Sequence, residues 1–270
     1  MIIDAHTHIG KLPHSLYTES HEKNLDFILN EAKESGVDAL IMIAGMEKED
    51  GRNPTTQSLI DLISDHKNVY AIAGVNINYD EEYLSQLEEW IRERKVVGIK
   101  FYTGYQHFYP NDERCLPIYE LCQKYDIPAV FHSGDTLAGY VSNPKIKYSH
   151  PLHIDEVAAD FPNLKLVIAH MGNPWLIDCA EVLYKNPNVY ADISGLVVGD
   201  DLQTAYGEIM KKRIKELIEY TAPEFKLLYG TDWPLCHMKQ YIEFAHSLDL
   251  KKDDLEKLLS GNAKKIFKLG

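Results

Sequence analysis

The chain has 270 residues, a formal net charge of −13 at pH 7, 45% hydrophobic residues and four cysteines. This length is typical of a single α/β barrel domain. The acidic charge and the dispersed lysines and arginines argue against a nucleic-acid partner, because such a partner requires clustered basic residues. The cysteines show no C-x-x-C spacing, so we expect free thiols.

The first residues predict a β-strand. The apolar start Met1-Ile2-Ile3 is too short for a membrane span, and it has no basic segment of the kind that precedes a signal peptide. It leads directly into the sequence DAHTH at 4–8. We therefore expect a soluble, cytoplasmic protein with no membrane partner.

The spacing of His6 and His8 predicts a pair of metal ligands. Side chains two residues apart on a strand point to the same face, so both imidazoles can reach one cation. Two histidines on a solvent-facing strand edge would give the same pattern, and this alternative stays open for the pair taken alone.

Further apolar runs along the chain have the length and the β-branched content of strands buried on both faces. They cover residues 39–44, 69–75, 96–100, 128–132, 164–170, 189–192 and 227–232. Segments with helical periodicity lie between them, among them 83–91 after the N-cap candidate Asp80, 116–121, and a closing helix at 255–267. Pro54 is interpreted as a helix start.

Eight strands that alternate with helices predict a single (β/α)8 TIM barrel with parallel strands, occupying residues 1–270 as one domain. A doubly wound open sheet is the alternative. Five of the runs end in an ionisable residue: Lys100, His132, His170, Asp192 and Asp232. In a parallel barrel these ends meet on one face, where substrates bind.

The order of these residues resembles the amidohydrolase superfamily. The segments that carry the resemblance to its amidohydrolase-related branch are DAHTH at 4–8, GIKFY at 98–102, FHSG at 131–134, AHMG at 169–172 and YGTDWP at 229–234. The sequence GNA at 261–263, before an apolar helix, is also similar. The resemblance spans the whole chain.

The resemblance implies a metal-dependent enzyme. It assigns one divalent ion, Zn2+ by preference, to His6, His8, His132 and Asp232, with a position left for water. Asp232 would also shuttle the proton, and His170 would orient the water or polarise the substrate carbonyl.

The reaction implied is hydrolysis of a C–N or C–O bond in a small amide, cyclic amide or lactone. Non-oxidative decarboxylation of a small carboxylic acid is the alternative, since some members of this branch use the same ligands to cleave a carbon–carbon bond. A nuclease is disfavoured by the acidic charge, and a non-catalytic barrel by the combination of an open site with His170 and Lys100.

Lys100 is the residue on which two hypotheses about the number of metal ions differ. In binuclear relatives a lysine on the fourth strand is carboxylated and bridges two metal ions. An unmodified Lys100 would instead anchor the carboxylate of an anionic substrate, with a single metal ion. We prefer one metal ion and a free amine, and we expect the side chain to point into the barrel because Ile99 and Phe101 suit the helix-facing side.

Several other residues receive less specific predictions. Asp192 and Ser194 are expected to form structural hydrogen bonds. Tyr105 and Tyr109, in an unusually aromatic connection, predict either a pocket wall or a loop packed over the barrel. Two residues are assigned the less functional of two roles: Arg52, in the segment 45–57, as a solvated loop residue rather than an anion clamp, and Cys236 as a packing residue.

Overall fold

The computed structural model describes residues 1–11, 19–47, 52–137, 139–222 and 224–269, apart from the side chain of Asp200. Its strands form one parallel eight-stranded sheet in chain order. They are β1 (Ile3–Thr7), β2 (Ala39–Ile43), β3 (Val69–Gly74), β4 (Val96–Phe101), β5 (Ala129–Phe131), β6 (Leu166–Ile168), β7 (Val189–Asp192) and β8 (Leu227–Leu228). The predicted TIM barrel is confirmed.

The barrel closes where β1 meets the segment that follows β8. The amide of Ala5 donates to the carbonyl of Tyr229 at 3.0 Å, and the amide of His8 donates to the carbonyl of Trp233 at 2.9 Å. The amide of Asp232 donates back to the carbonyl of His6 at 2.8 Å. This seam places the first and last motifs of the chain side by side.

Helices alternate with the strands. Their bounds are α1 (His21–Ser35), α2 (Thr56–Ile63), α3 (Glu81–Arg92), α4 (Leu116–Tyr125), α5 (Leu152–Asp160), α6 (Leu176–Lys185), α7 (Ala205–Thr221), α8 (Met238–His246), α9 (Lys252–Glu256) and α10 (Asn262–Phe267). A π-helical turn, Lys257–Gly261, joins the last two. No helix of the described residues is long and apolar enough to cross a membrane.

Capping explains where two of the helices begin. The Asp80 carboxylate accepts from the amide of Tyr83 at 2.9 Å, which confirms the predicted N-cap of α3. The prediction that Pro54 starts a helix is wrong. Helix α2 begins at Thr56, and the hydroxyl of Thr55 caps it by accepting from the amide of Ser58 at 3.3 Å.

The core has two layers. A larger apolar layer lies between the sheet and the helices and contains Ile99 and Phe101. A smaller one fills the inside of the barrel and is completed by the apolar side chains of α10: Ala263, Ile266 and Phe267. Lys100 is 1% exposed and lines the pocket inside the barrel, as the alternation along β4 predicts.

A bulge in β1 marks the point along the strand where side chains that pack in the core give way to side chains that face the pocket. Between Asp4 and Thr7 this strand has one residue more than the part of β2 with which it pairs. A bulge re-aims the side chains that follow it. Ala5 therefore packs in the interior core while His6 and His8 face the pocket above it.

Two predicted strands are shorter in the structure. The run 164–170 forms a strand only at Leu166–Ile168, and the run 227–232 only at Leu227–Leu228. His170 and Asp232 lie in the turns that follow. All four cysteines are free and buried, as predicted.

Candidate active site

A pocket opens at the carboxyl ends of the strands. It encloses about 450 Å3 of empty space, including its mouth. The residues that line it are His6, His8, Asn53, Lys100, Tyr102, Tyr105, His132, Leu137, Tyr140, His170, Asp232 and Leu235. All the predicted metal-binding and catalytic side chains are therefore in one pocket.

His6 and His8 turn the same nitrogen toward Asp232. The Nδ1 atom of His6 is 2.8 Å from Asp192 Oδ2, and that of His8 is 3.2 Å from the carbonyl oxygen of Ile43. Both partners accept hydrogen bonds, so in each neutral ring the proton is on Nδ1 and the lone pair on Nε2. The Nε2 atoms of His6 and His8 lie 3.7 and 3.3 Å from Asp232 Oδ1.

This donor set fits a divalent cation. In the neutral tautomers, neither Nε2 has a proton to donate to Asp232, so two lone pairs and a carboxylate oxygen converge. The ligand atoms of His6, His8 and Asp232 all lie within 4.8 Å of one another. Two imidazole nitrogens and one carboxylate oxygen suit Zn2+ and related ions.

His132, the fourth predicted ligand, is not part of this group in the described residues. Its Nε2 donates to the carbonyl oxygen of Asp135 at 2.8 Å, so Nδ1 is the ring nitrogen that carries the lone pair. Burial lowers the pKa of His132 well below its usual value. The ring lies 5.1 Å from that of His170, centroid to centroid.

Asp232 and His170 are presented by left-handed backbone. Both have a φ of 58°, which few residues other than glycine adopt and which costs conformational energy. Gly195 makes room for them: its own φ is +64°, and a Cβ there would lie 2.9 Å from Asp232 Oδ2. Strained turns thus carry the two residues to which the family resemblance assigns proton transfer, for Asp232, and the orientation of the water or substrate carbonyl, for His170.

The ring of His170 is held on one side. Its Nδ1 lies 3.0 Å from the carbonyl oxygen of Ser194 and 2.9 Å from Ser194 Oγ. Nε2 is then the ring nitrogen that can face a substrate. The His170 and His6 rings are 4.8 Å apart, centroid to centroid.

The Nζ atom of Lys100 lies 3.4 Å from His6 Nε2, one of the three ligand atoms that converge in the pocket. Burial lowers the pKa of Lys100 to about 8, against the opposing influence of Asp192 and Asp232. A cation at His6 Nε2 would lower that pKa further. An amine that is easily deprotonated suits both hypotheses for Lys100, since only the neutral amine can be carboxylated and the ammonium form can bind an anion.

Asp192 and Ser194 do form the expected hydrogen bonds, but their partners are site residues. Asp192 contacts His6, and Ser194 contacts both His6 and His170. The sequence signal was present, since Asp192 ends β7 at the pocket face as the other site residues end their strands. What sequence could not supply was the direction of its side chain.

The two tyrosines of the aromatic connection after β4 take different ones of the two predicted roles. Tyr105 lines the pocket, where its ring lies 4.6 Å from that of His132 and 5.0 Å from that of Tyr140. Tyr109 is exposed and packs on Tyr148 outside the pocket. The hydroxyl of Tyr105 accepts from the amide of Leu137 at 2.7 Å, so its ring face is the surface offered to a ligand.

Two further residues are structural. Arg52 donates to the carbonyl oxygens of Gly139 and Tyr140 and so joins two loops near the pocket mouth, while residues 48–51 of its segment lie outside the described part of the chain. Cys236 is buried and its thiol donates to the carbonyl oxygen of Val197 at 3.2 Å. It packs as predicted.

The amidohydrolase family model matches residues 3–269. The chain belongs to the amidohydrolase family. None of the curated proteins compared with it matches.

Solved structures share the fold of this chain. One is an amidohydrolase from Burkholderia multivorans with bound zinc, 16% identical, with a TM-score of 0.71 and 100% of each chain covered. A probable 2-pyrone-4,6-dicarboxylic acid hydrolase from Acinetobacter baumannii, with citric acid bound, is 14% identical, with a TM-score of 0.69 and 99% of each chain covered. A 2,6-dihydroxybenzoate decarboxylase from Rhizobium is 13% identical, with a TM-score of 0.70, covering 99% of this chain and 98% of its own.

We predict that removal of His6 and His8, the two expected ligands at the end of β1, abolishes metal binding by this protein. The His6→Ala, His8→Ala double variant should contain well below one equivalent of divalent metal, measured by elemental analysis after purification, whereas the parent contains about one. A circular dichroism spectrum like the parent's would show that the barrel survives. His107→Ala, an exposed histidine change, is the control, and metal retained by the double variant would place the site elsewhere.

Proposed function

We propose that this amidohydrolase is a metal-dependent hydrolase that cleaves a C–N or C–O bond of a small anionic amide, cyclic amide or lactone. The observation that carries the proposal is the convergence of His6 Nε2, His8 Nε2 and Asp232 Oδ1 in a pocket that also contains His170. A metal ion, a general base and a group that orients the substrate are the parts that such a hydrolysis requires.

His6, His8 and Asp232 would hold the cation, with His132 as a further ligand through Nδ1. A bound divalent cation supplies Lewis-acid chemistry, because it lowers the pKa of a water molecule and polarises a substrate oxygen. The Asp232 carboxylate accepts the proton of the attacking water and passes it to the leaving nitrogen or oxygen. Because the Nδ1 proton of His170 is directed at the carbonyl of Ser194, Nε2 orients the water by accepting from it when the ring is neutral, or donates to the substrate carbonyl when the ring is protonated.

Lys100 would select an anionic substrate. Its ammonium is buried beside the metal ligands, where a substrate carboxylate could replace part of the lost hydration. The rings of Tyr102 and Tyr105 form an adjacent wall. The tyrosine faces favour a flat or unsaturated molecule.

Decarboxylation is the second candidate. It is favoured by the likeness to the Rhizobium 2,6-dihydroxybenzoate decarboxylase and by the aromatic wall, which suits an aromatic acid. In that reaction the Asp232 carboxyl would have to arrive protonated to deliver a proton to carbon. A divalent cation held beside Asp232 would favour the ionised form of this carboxyl, which is the form that hydrolysis uses.

A product assay separates the two reactions. Protein loaded with Zn2+ or Mn2+ would be offered amides, cyclic amides and lactones that carry a carboxylate, together with planar aromatic carboxylic acids. We expect products heavier by one water, with isotopic oxygen incorporated from labelled water. Release of CO2, with a solvent proton on the carbon that lost it, would overturn the hydrolase assignment in favour of the decarboxylase.

His170→Asn should retain metal but lose activity. The asparagine amide can still donate to the carbonyl of Ser194, so the turn is preserved, whereas the nitrogen facing the substrate is lost. We expect the metal content of the parent and a fall in kcat of about 10²-fold. His150→Asn, outside the pocket, is the control. Loss of metal together with activity would reassign His170 as an obligatory ligand.

Lys100→Ala should leave about one equivalent of metal and raise KM for anionic substrates more than it changes kcat. The reason is that a free ammonium contributes to substrate binding and does not hold the cation. Lys226→Met, which removes another buried lysine far from the pocket, is the control. A parent with about two metal equivalents, and a strong fall in metal affinity in Lys100→Ala, would instead establish a carboxylated lysine bridge.

A further inference from the structure

Asp192 lies outside the lining of the pocket and forms hydrogen bonds with two of the histidines that line it, His6 and His170. It is 2% exposed and ends β7, and it is absent from the described residues that line the pocket. A substrate in the pocket therefore has no direct access to this carboxylate. Any influence of Asp192 on the reaction must pass through its hydrogen-bond partners.

One carboxylate oxygen serves His6. Asp192 Oδ2 is 2.8 Å from His6 Nδ1, and the His6 ring is fully buried. A neutral imidazole has one proton, and a carboxylate beside Nδ1 keeps the proton on that nitrogen. The lone pair of Nε2 is then directed at the position where Asp232 and His8 also point.

The other oxygen serves the turn that carries His170. Asp192 Oδ1 accepts from the amides of His170 and Ser194 at 2.9 and 3.1 Å, and from the Ser194 hydroxyl at 2.5 Å. His170 occupies the left-handed region at φ 58° and ψ 23°, so its turn needs such support. Ser194 in turn contacts the His170 ring through Oγ at 2.9 Å.

We propose that Asp192 is a positioning residue that couples the metal ligand to the catalytic histidine. One of its oxygens fixes the His6 tautomer that can bind a cation, and the other holds the turn that presents His170. This inference rests on the metal site of the proposed function. It assigns Asp192 a role through the hydrogen bonds of two other residues, without contact with the substrate.

Asp192→Asn tests the coupling at constant size. The amide oxygen can still accept from the amide of His170, but the amide nitrogen would then face His6 Nδ1. A donor at that position favours the opposite tautomer, with the proton on Nε2, where it blocks cation binding. Because asparagine has the shape of aspartate, the variant otherwise keeps the packing of the side chain.

We expect the metal affinity of Asp192→Asn to fall about 10- to 100-fold, measured by competition with a chelator. Nitrogen NMR of isotopically labelled histidine in the metal-free proteins should place the His6 proton on Nδ1 in the parent and on Nε2 in the variant. Asp155→Asn removes a hydrogen-bonded carboxylate on α5 and should change neither quantity.

Ser194→Ala separates the two arms of the network. It leaves the bond between Asp192 and His6 in place, and it removes the hydroxyl that contacts the His170 ring at 2.9 Å and lies 3.1 Å from His6 Nδ1. We expect near-parental metal affinity with a reduced kcat. Equal losses of metal in Ser194→Ala and Asp192→Asn would indicate a general structural role and overturn the proposal.

Parental metal affinity in Asp192→Asn would also overturn it. If that variant does not fold, the nitrogen NMR spectrum of the metal-free parent still tests the proposal. A proton on Nε2 of His6 in that spectrum would contradict it. Failure of the proposed function gives a different result. A parent that binds metal through His6 and decarboxylates its substrate would overturn the hydrolase assignment alone and leave the role of Asp192 standing.

Discussion

The site depends on the closure of the barrel between β1 and the end of β8, and a buried carboxylate holds that seam. Asp4 accepts from the amide and the hydroxyl of Thr231 at 3.0 and 2.6 Å, and from the amide of His6 at 3.3 Å. Burial raises the pKa of Asp4 to about 7, although its bonds to Thr231 oppose that change. A buried polar group with these partners ties both chain segments in one register. Asp232 follows Thr231 directly, so the seam also sets the distance between Asp232 and His6.

Above the seam, the chain departs from regular geometry at several of the points where it supplies a reactive group. The bulge in β1 redirects His6 and His8, and left-handed turns carry His170 and Asp232. Such departures cost conformational energy, and they persist only where the surroundings fix them. The packed interior below, filled by strand side chains and by α10, provides this rigid surrounding. The division agrees with the general design of these barrels, in which one end is stable and the other is reactive.

The parts of this arrangement that follow from periodicity could be predicted from the sequence. Strand order, the common face of His6 and His8, and the inward side chain of Lys100 all follow from period-two alternation and from the rule that parallel strands end together. The turns at His170 and Asp232 could not be predicted, because each follows an apolar run, residues 164–169 and 227–229, that looks like a strand leading directly to the site residue. The side-chain direction of His132 depends on the carbonyl of Asp135, and that of Asp192 on His6, which is 186 positions away in the chain. Such contacts exist only after folding.

Charge balance connects the metal site to the kind of substrate it suits. With neutral imidazoles, the carboxylates of Asp192, which is buried, and Asp232, which lines the pocket, exceed the single ammonium of Lys100 by one negative charge. One divalent ion beside a charged Lys100 would turn this into one excess positive charge. Two divalent ions bridged by a carboxylated Lys100 would give the same excess, since the carbamate adds one negative charge. An uncompensated buried charge is costly, and an anion in the pocket removes it. Both metal counts therefore favour a substrate with a carboxylate, and the two hypotheses for Lys100 differ in what holds that carboxylate: an ammonium in the first case and a metal ion in the second.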